Sequence, residues 1–118
     1  MPLVQISLVA GRPATDKVSI ADAIHSALVS AIKIPEADRN IRINEYQESD
    51  FQRPPGKSSH YVLIEITQFP GRTKGAKRNL FQAIVQGLSR LQIEPSDVVI
   101  VLHEPPLENW GIRGGIPA

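Results

Sequence analysis

Apolar residues follow two periods along this chain. From Leu3 to Val9 they fall largely on alternate positions, with Gln5 and Ser7 interrupting one face, which predicts a strand. Gly11-Arg12-Pro13-Ala14 then turns the chain, and Thr15 is placed to cap a helix. Ile20, Ile24, Ala27, Leu28 and Ala31 recur at three- and four-residue spacing, the stripe of an amphipathic helix. Pro35 stops it, because a residue before proline avoids the helical region. Ile41 and Ile43 open a second strand that runs to about Tyr46.

The same order then repeats. Tyr61 to Thr67 reads as a strand, Phe69-Pro70-Gly71-Arg72 as a turn, and Thr73 as a helix cap. Ala76, Leu80, Ile84, Leu88 and Leu91 form the second stripe, Pro95-Ser96-Asp97 closes the connection, and Val98 to Leu102 is a strand. Landmarks match across the two halves: Gly11-Arg12 with Gly71-Arg72, Ala23-Ile24 with Ala83-Ile84, Pro35 with Pro95. After one residue of slippage, Asp38 matches Asp97 and Glu45 matches Glu104. The chain is therefore one domain, 1–118, with repeat one at about 2–47, repeat two at about 60–104 and a tail at 105–118. Glu48 to Ser59, with Pro54, Pro55 and Gly56, links the halves, and the glycine-rich tail reads as flexible.

A strand–helix–strand unit joins parallel strands by a right-handed crossover. Two such units predict an α/β (α+β) fold: a tandem βαβ repeat whose four-stranded mixed sheet carries two helices on one face. Val98 to Leu102 and Val62-Leu63-Ile64 are apolar on both faces, which implies a sheet buried on both sides. With no third helix to cover the second face, the expectation is a tight homo-oligomer.

Composition narrows the partners. Hydrophobic residues make up 42% and charged residues 21%, ordinary for a soluble domain, and the net charge of +1 argues against bulk binding of nucleic acid. Arg72, Lys74, Lys77 and Arg78 cluster, but no aromatic residues interleave with them. No apolar run reaches the roughly 20 residues of a membrane span. The start lacks the basic and apolar regions of a signal peptide. With no cysteine, a cytoplasmic location is expected, and thiolate chemistry is excluded. His25, His60 and His103 lack metal-ligand spacing.

Pro2 follows Met1 directly. Removal of a methionine before a small residue would leave proline's secondary amine at the chain start. An α-amine titrates at about 7.7–8.0, and burial or a nearby cation lowers that, so it can act as an acid or base near neutrality. Pro2 heading a strand, the two βαβ repeats and the absence of cysteine together resemble the tautomerase superfamily over nearly the whole chain. Ala10-Gly11-Arg12, Ile34-Pro35-Glu36-Ala37-Asp38-Arg39 and Asn109-Trp110-Gly111 are similar in particular to the malonate semialdehyde decarboxylase-like branch.

The resemblance implies a homotrimer without cofactor, acting on small oxo acids or their enols. It implies Pro2 as acid/base, Asp38 as a support for the proline or for water, and Arg72 as the carboxylate ligand. Trp110 would be a pocket wall, with Ile112 adding apolar surface. Decarboxylase and dehalogenase members carry two arginines at the second turn; here Arg72 stands alone, with Phe69 near the second position. The leading expectation is thus a tautomerase. A decarboxylase or hydratase, and a non-enzymatic trimeric binding protein, are the alternatives.

Overall fold

The computed structural model describes all 118 residues. In chain order it holds β1 (Leu3–Val9), α1 (Ala14–Ile32), β2 (Ile41–Tyr46), β3 (Val62–Thr67), α2 (Lys74–Ser89), β4 (Val98–His103), β5 (Gly111–Ile112) and β6 (Ile116–Pro117). The four long strands form one sheet in the order β2-β1-β3-β4. The outer pairs are parallel and the central β1–β3 pair is antiparallel, so this is the mixed sheet that two tandem crossovers require.

Both helices cover the same face. Val4, Ile6 and Leu8 of β1 and Val62, Ile64 and Ile66 of β3 form one core with Ile20, Ile24 and Leu28 of α1 and Leu80, Ile84 and Leu88 of α2. Each such side chain contributes roughly 1.5–3 kcal/mol on burial. The helices meet closely, since a Cβ on Gly87 would lie 3.3 Å from the Ala23 Cβ.

The duplication is written into the register. Val4 pairs with Ile41 in the first half and Ile64 with Ile100 in the second, offsets of 60 (4 to 64) and 59 (41 to 100). Gly11 and Gly71 share the left-handed region at φ 122° and 116°, which an L side chain rarely adopts. Past the helices, Lys33 and Gln92 (33 to 92, offset 59) match at φ 64° and 67°.

Several expectations need correction. Pro13, not Thr15, is the N-cap of α1 and makes no side-chain cap bond; Pro13's fixed φ suits the helix entrance. Thr73 does cap α2, its hydroxyl accepting from the Ala76 amide at 3.0 Å. The first helix ends before Pro35, at Ile32, with Lys33 turning left-handed. The sheet's open face is not apolar throughout. β3 alternates buried and half-buried residues, so Glu65 and Thr67 share the open face with Leu63, and across from them stand Gln5, Ser7 and Leu3 of β1. Val101 of β4 is exposed on this face of the single chain, as expected of a face left for other subunits to cover. The tail is ordered: β5 and β6 pair antiparallel, and the Ala118 amide donates to the Trp110 carbonyl at 3.2 Å. No helix is long and apolar enough to cross a membrane.

Candidate active site

The mixed topology gathers the starts of β1 and β2 and the ends of β3 and β4 at one end of the sheet. Pro2, Asp38, Gln68 and Glu104 therefore converge although no two belong to the same strand. Pro2 is buried at the entrance to β1. Ahead of it, the Met1 amine lies 2.7 Å from Asp38 Oδ2. Asp38 is presented by a turn in which its amide donates to the Pro35 carbonyl at 3.0 Å. The backbone thus aims this carboxylate at the chain start, leaving the amide of Asp38 to close the turn.

Arg72 lies at the same end but with another tie. Its Nη1 donates to the Ile32 carbonyl at 2.7 Å, placing a cation on the last turn of α1. One of five guanidinium donors is used there, and the side chain is otherwise exposed. Trp110 is buried; it meets Phe69 edge-on, with ring centroids 4.8 Å apart, and its Nε1 donates to the Pro105 carbonyl at 3.2 Å. Phe69 follows Gln68, so this aromatic pair walls the end where Pro2 sits. Ile112 is half-buried and paired with Ile116 in the tail hairpin. The tail thus sets Trp110 against Phe69, just past the end of β3, and holds Ile112 in the hairpin.

Three further residues complete this end, none of them singled out for the site by the sequence. Lys77 Nζ lies 2.5 Å from Glu104 Oε1, and Gln68 Nε2 donates to Glu104 Oε2 at 3.1 Å. The Lys77 hydrogen bond holds the Glu104 carboxyl below the usual range; burial opposes this, and the Gln68 amide adds to it. Gln68 is only 2% exposed, and its Oε1 has no partner. The signal in the sequence was a polar residue at the next inward position after Val62, Ile64 and Ile66. His25 is buried, and its Nε2 lies 2.8 Å from the Glu36 carbonyl. It ties α1 to the turn that carries Asp38.

Asp97, the duplicate of Asp38, does not cap its own turn. It accepts from the Ser58 amide at 2.8 Å and from the Ser58 hydroxyl, 39 residues away. Burial pushes its carboxyl up, but the Ser58 hydroxyl and amide, with His60 and Lys57, more than offset that and hold it below the usual range. The surface depressions of the single chain lie elsewhere; one on the open sheet face is lined by Gln5, Ser7, Tyr46, Phe51, Leu63 and Glu65. At the Pro2 end no hollow is enclosed by one chain.

Tandem βαβ units, a buried proline heading the first strand and a carboxylate at the chain start define a tautomerase-type enzyme fold. Two family models, both described as tautomerase enzyme, match residues 38–113 and 2–59. The chain belongs to the tautomerase family. It is 29% identical to the probable tautomerase YusQ of Bacillus subtilis (strain 168), over 98% of this chain and 95% of that one. Among solved structures, it is 31% identical to FG41 malonate semialdehyde decarboxylase inhibited by 3-bromopropiolate. That match has a TM-score of 0.85 and covers 93% of this chain and 88% of the other. A fused 4-OT wild-type symmetric trimer matches at 26% identity and a TM-score of 0.87, covering 98% and 95%.

Proposed function

We propose that the chain, once Met1 is removed, is a cofactor-free keto–enol tautomerase of small oxo acids, with the Pro2 amine as its acid and base. The observation that carries this reading is the Met1 amine held 2.7 Å from Asp38 Oδ2 at the buried entrance to β1. The Met1 nitrogen stands in for the start of the mature chain. Removal of Met1 moves the basic nitrogen one residue inward, onto Pro2. That nitrogen takes a proton from the substrate's enol oxygen and returns it to carbon, and Asp38 keeps the amine in place. Arg72 offers its unused donors to the substrate carboxylate. Phe69 and Trp110 exclude water on one side.

The open sheet face and the unenclosed site support assembly of this chain as a trimer, the state of the fused 4-OT relative. The second reading is decarboxylation of malonate semialdehyde. It is favoured by the 31% identity to a decarboxylase, and the lone arginine of the second turn counts against it. Turnover of malonate semialdehyde against ketonisation of an enol separates the two.

The test of Pro2 compares processed protein with protein that retains Met1, on phenylenolpyruvate. A positioned acid–base contributes about 10²–10⁴-fold, and an amide nitrogen is not basic. A loss of that order is expected in the Met1-retaining form. Equal rates in the two forms remove Pro2 from the mechanism.

A further inference from the structure

We propose that Gln68 binds substrate at the Pro2 site: its amide oxygen accepts a hydrogen bond from a substrate hydroxyl, so the site selects enolic or otherwise hydroxylated acids. This rests on the Pro2 reading for the location of the substrate. Thr67 pairs with Leu3, so Gln68 follows at the level of Pro2, at the end of the β1–β3 ladder. It continues the inward series of Val62, Ile64 and Ile66 and is 2% exposed.

The orientation of the amide follows from its neighbour. Glu104 is ionised beside Lys77, and a carboxylate only accepts. The Gln68 nitrogen must therefore face Glu104, as it does at 3.1 Å. The oxygen then faces away, buried and without a partner. A buried acceptor left unpaired destabilises the free chain and calls for a donor that arrives later.

The duplication supplies an internal control. Lys77 and Glu104 have counterparts in Lys17 (17 + 60 = 77) and Glu45 (45 + 59 = 104), which lie 2.8 Å apart. The counterpart of Gln68 is Leu8 (8 + 60 = 68), fully buried. The fold closes this arrangement with leucine at the far end, so the polar atom at the Pro2 end is not needed for folding. Nor is the amine its donor. The Val4 amide bonds to Asn40 on the β2 side, and Pro2, two residues earlier, directs its nitrogen to that same side, where Asp38 already receives the terminus.

The test uses Gln68→Met, which keeps the shape, and Gln68→Leu, which installs the residue of the far end. Calorimetry compares binding of 3-phenyllactate with 3-phenylpropionate, which lacks the hydroxyl. A neutral hydrogen bond corresponds to roughly two- to tenfold in affinity. The parent protein should prefer the hydroxy acid by that factor, and both variants should lose the preference while melting at or above the parent temperature. Ketonisation of phenylenolpyruvate should weaken by a similar factor without a shift of the pH profile. Three outcomes overturn the proposal: an unchanged preference, a lower melting temperature in both variants, or a displaced pH profile, which would make the amine the donor. The binding comparison involves no turnover, so it fails or holds independently of Pro2 as catalyst.

Discussion

The two ends of the sheet are built from the same parts, and only one of them carries the proposed site. Each end has a glycine–arginine turn, a lysine–glutamate pair across a helix and the neighbouring strand, and an aspartate that holds the chain entering a central strand. Asp38 holds the Met1 amine, and Asp97 holds Ser58 in the linker. The far end is filled by Phe51, whose ring packs edge-on to Tyr46 at 5.4 Å and to Tyr61 at 5.5 Å. The Pro2 end has Phe69 against Trp110, an unpaired amide oxygen and a terminal nitrogen. What the ends share serves architecture; what differs is where chemistry has to be sought. Arg72 and Asp38 keep their residue types at the far end as Arg12 and Asp97, whereas Pro2, Gln68 and Trp110 are matched there by Val62, Leu8 and Phe51.

The strongest way to break this comparison is to truncate both arginines. Arg72→Ala should lower the specificity constant for carboxylated enols by roughly ten- to a hundredfold, the worth of a charge-assisted hydrogen bond. Arg12→Ala should leave turnover unchanged. Arg72→Lys keeps a donor for the Ile32 carbonyl but loses the planar fork, and should fall between parent and Arg72→Ala. Equal losses from Arg12→Ala and Arg72→Ala would mean the ends are not functionally distinct.

The aspartates should divide differently. Asp97 is 4% exposed, and Asp97→Ala strands two donors of Ser58, so urea unfolding should show a loss of about 1–3 kcal/mol with turnover per folded enzyme retained. Asp38→Ala, at a half-exposed carboxylate, should cost less stability and more activity. Acid sharpens the same contrast. Because folding lowers the Asp97 pKa, its contribution to stability is present above the unfolded value of about 3.9 and is lost as pH falls through the lower folded value. The stability difference between parent and Asp97→Ala should therefore be constant near neutrality and narrow below about pH 4, as read by thermal melts.

The smallest effect concerns the ion pair at the far end. Lys17→Met removes a partly exposed pair and should change stability by about 0.2–1 kcal/mol, with kinetics unaltered. Lys77→Met should cost as little stability but weaken binding of the hydroxy acid, since Glu104 then no longer has its lysine to keep it ionised and the Gln68 amide is held less firmly.

Much of this was legible because a duplication prints its landmarks twice. The matching Gly11 and Gly71, and the one-residue slip that sets Asp38 against Asp97, marked the two βαβ units, while the strand order β2-β1-β3-β4 was not legible there. Local chemistry placed the Thr73 cap correctly. It failed at Thr15, where the proline two residues earlier already supplies the helix entrance. Reading β4 as apolar on both faces said nothing of the polar residues on β1 and β3 that share its open face. The role of Asp97 was hidden because its partner Ser58 is 39 residues away. The tail hairpin has two residues in each strand and is anchored through Trp110, so its order depends on contacts that no local pattern encodes. Gln68 was readable as a break in an inward apolar series, but its meaning required Glu104 and Lys77 beside it.

Residues 48–59 carry a consequence for how many reactive nitrogens each chain can display. The duplication puts Val62 where Pro2 stands (2 + 60 = 62), so both central strands begin in equivalent surroundings. The nitrogen of Val62 is an amide because the linker runs into it. Covalent continuity, and not architecture, therefore limits the chain to one such end. Two separate half-chains, each headed by proline, would display the amine twice on the same scaffold. Joining them in tandem silences the second, and frees the far end to become the aromatic plug that closes the sheet.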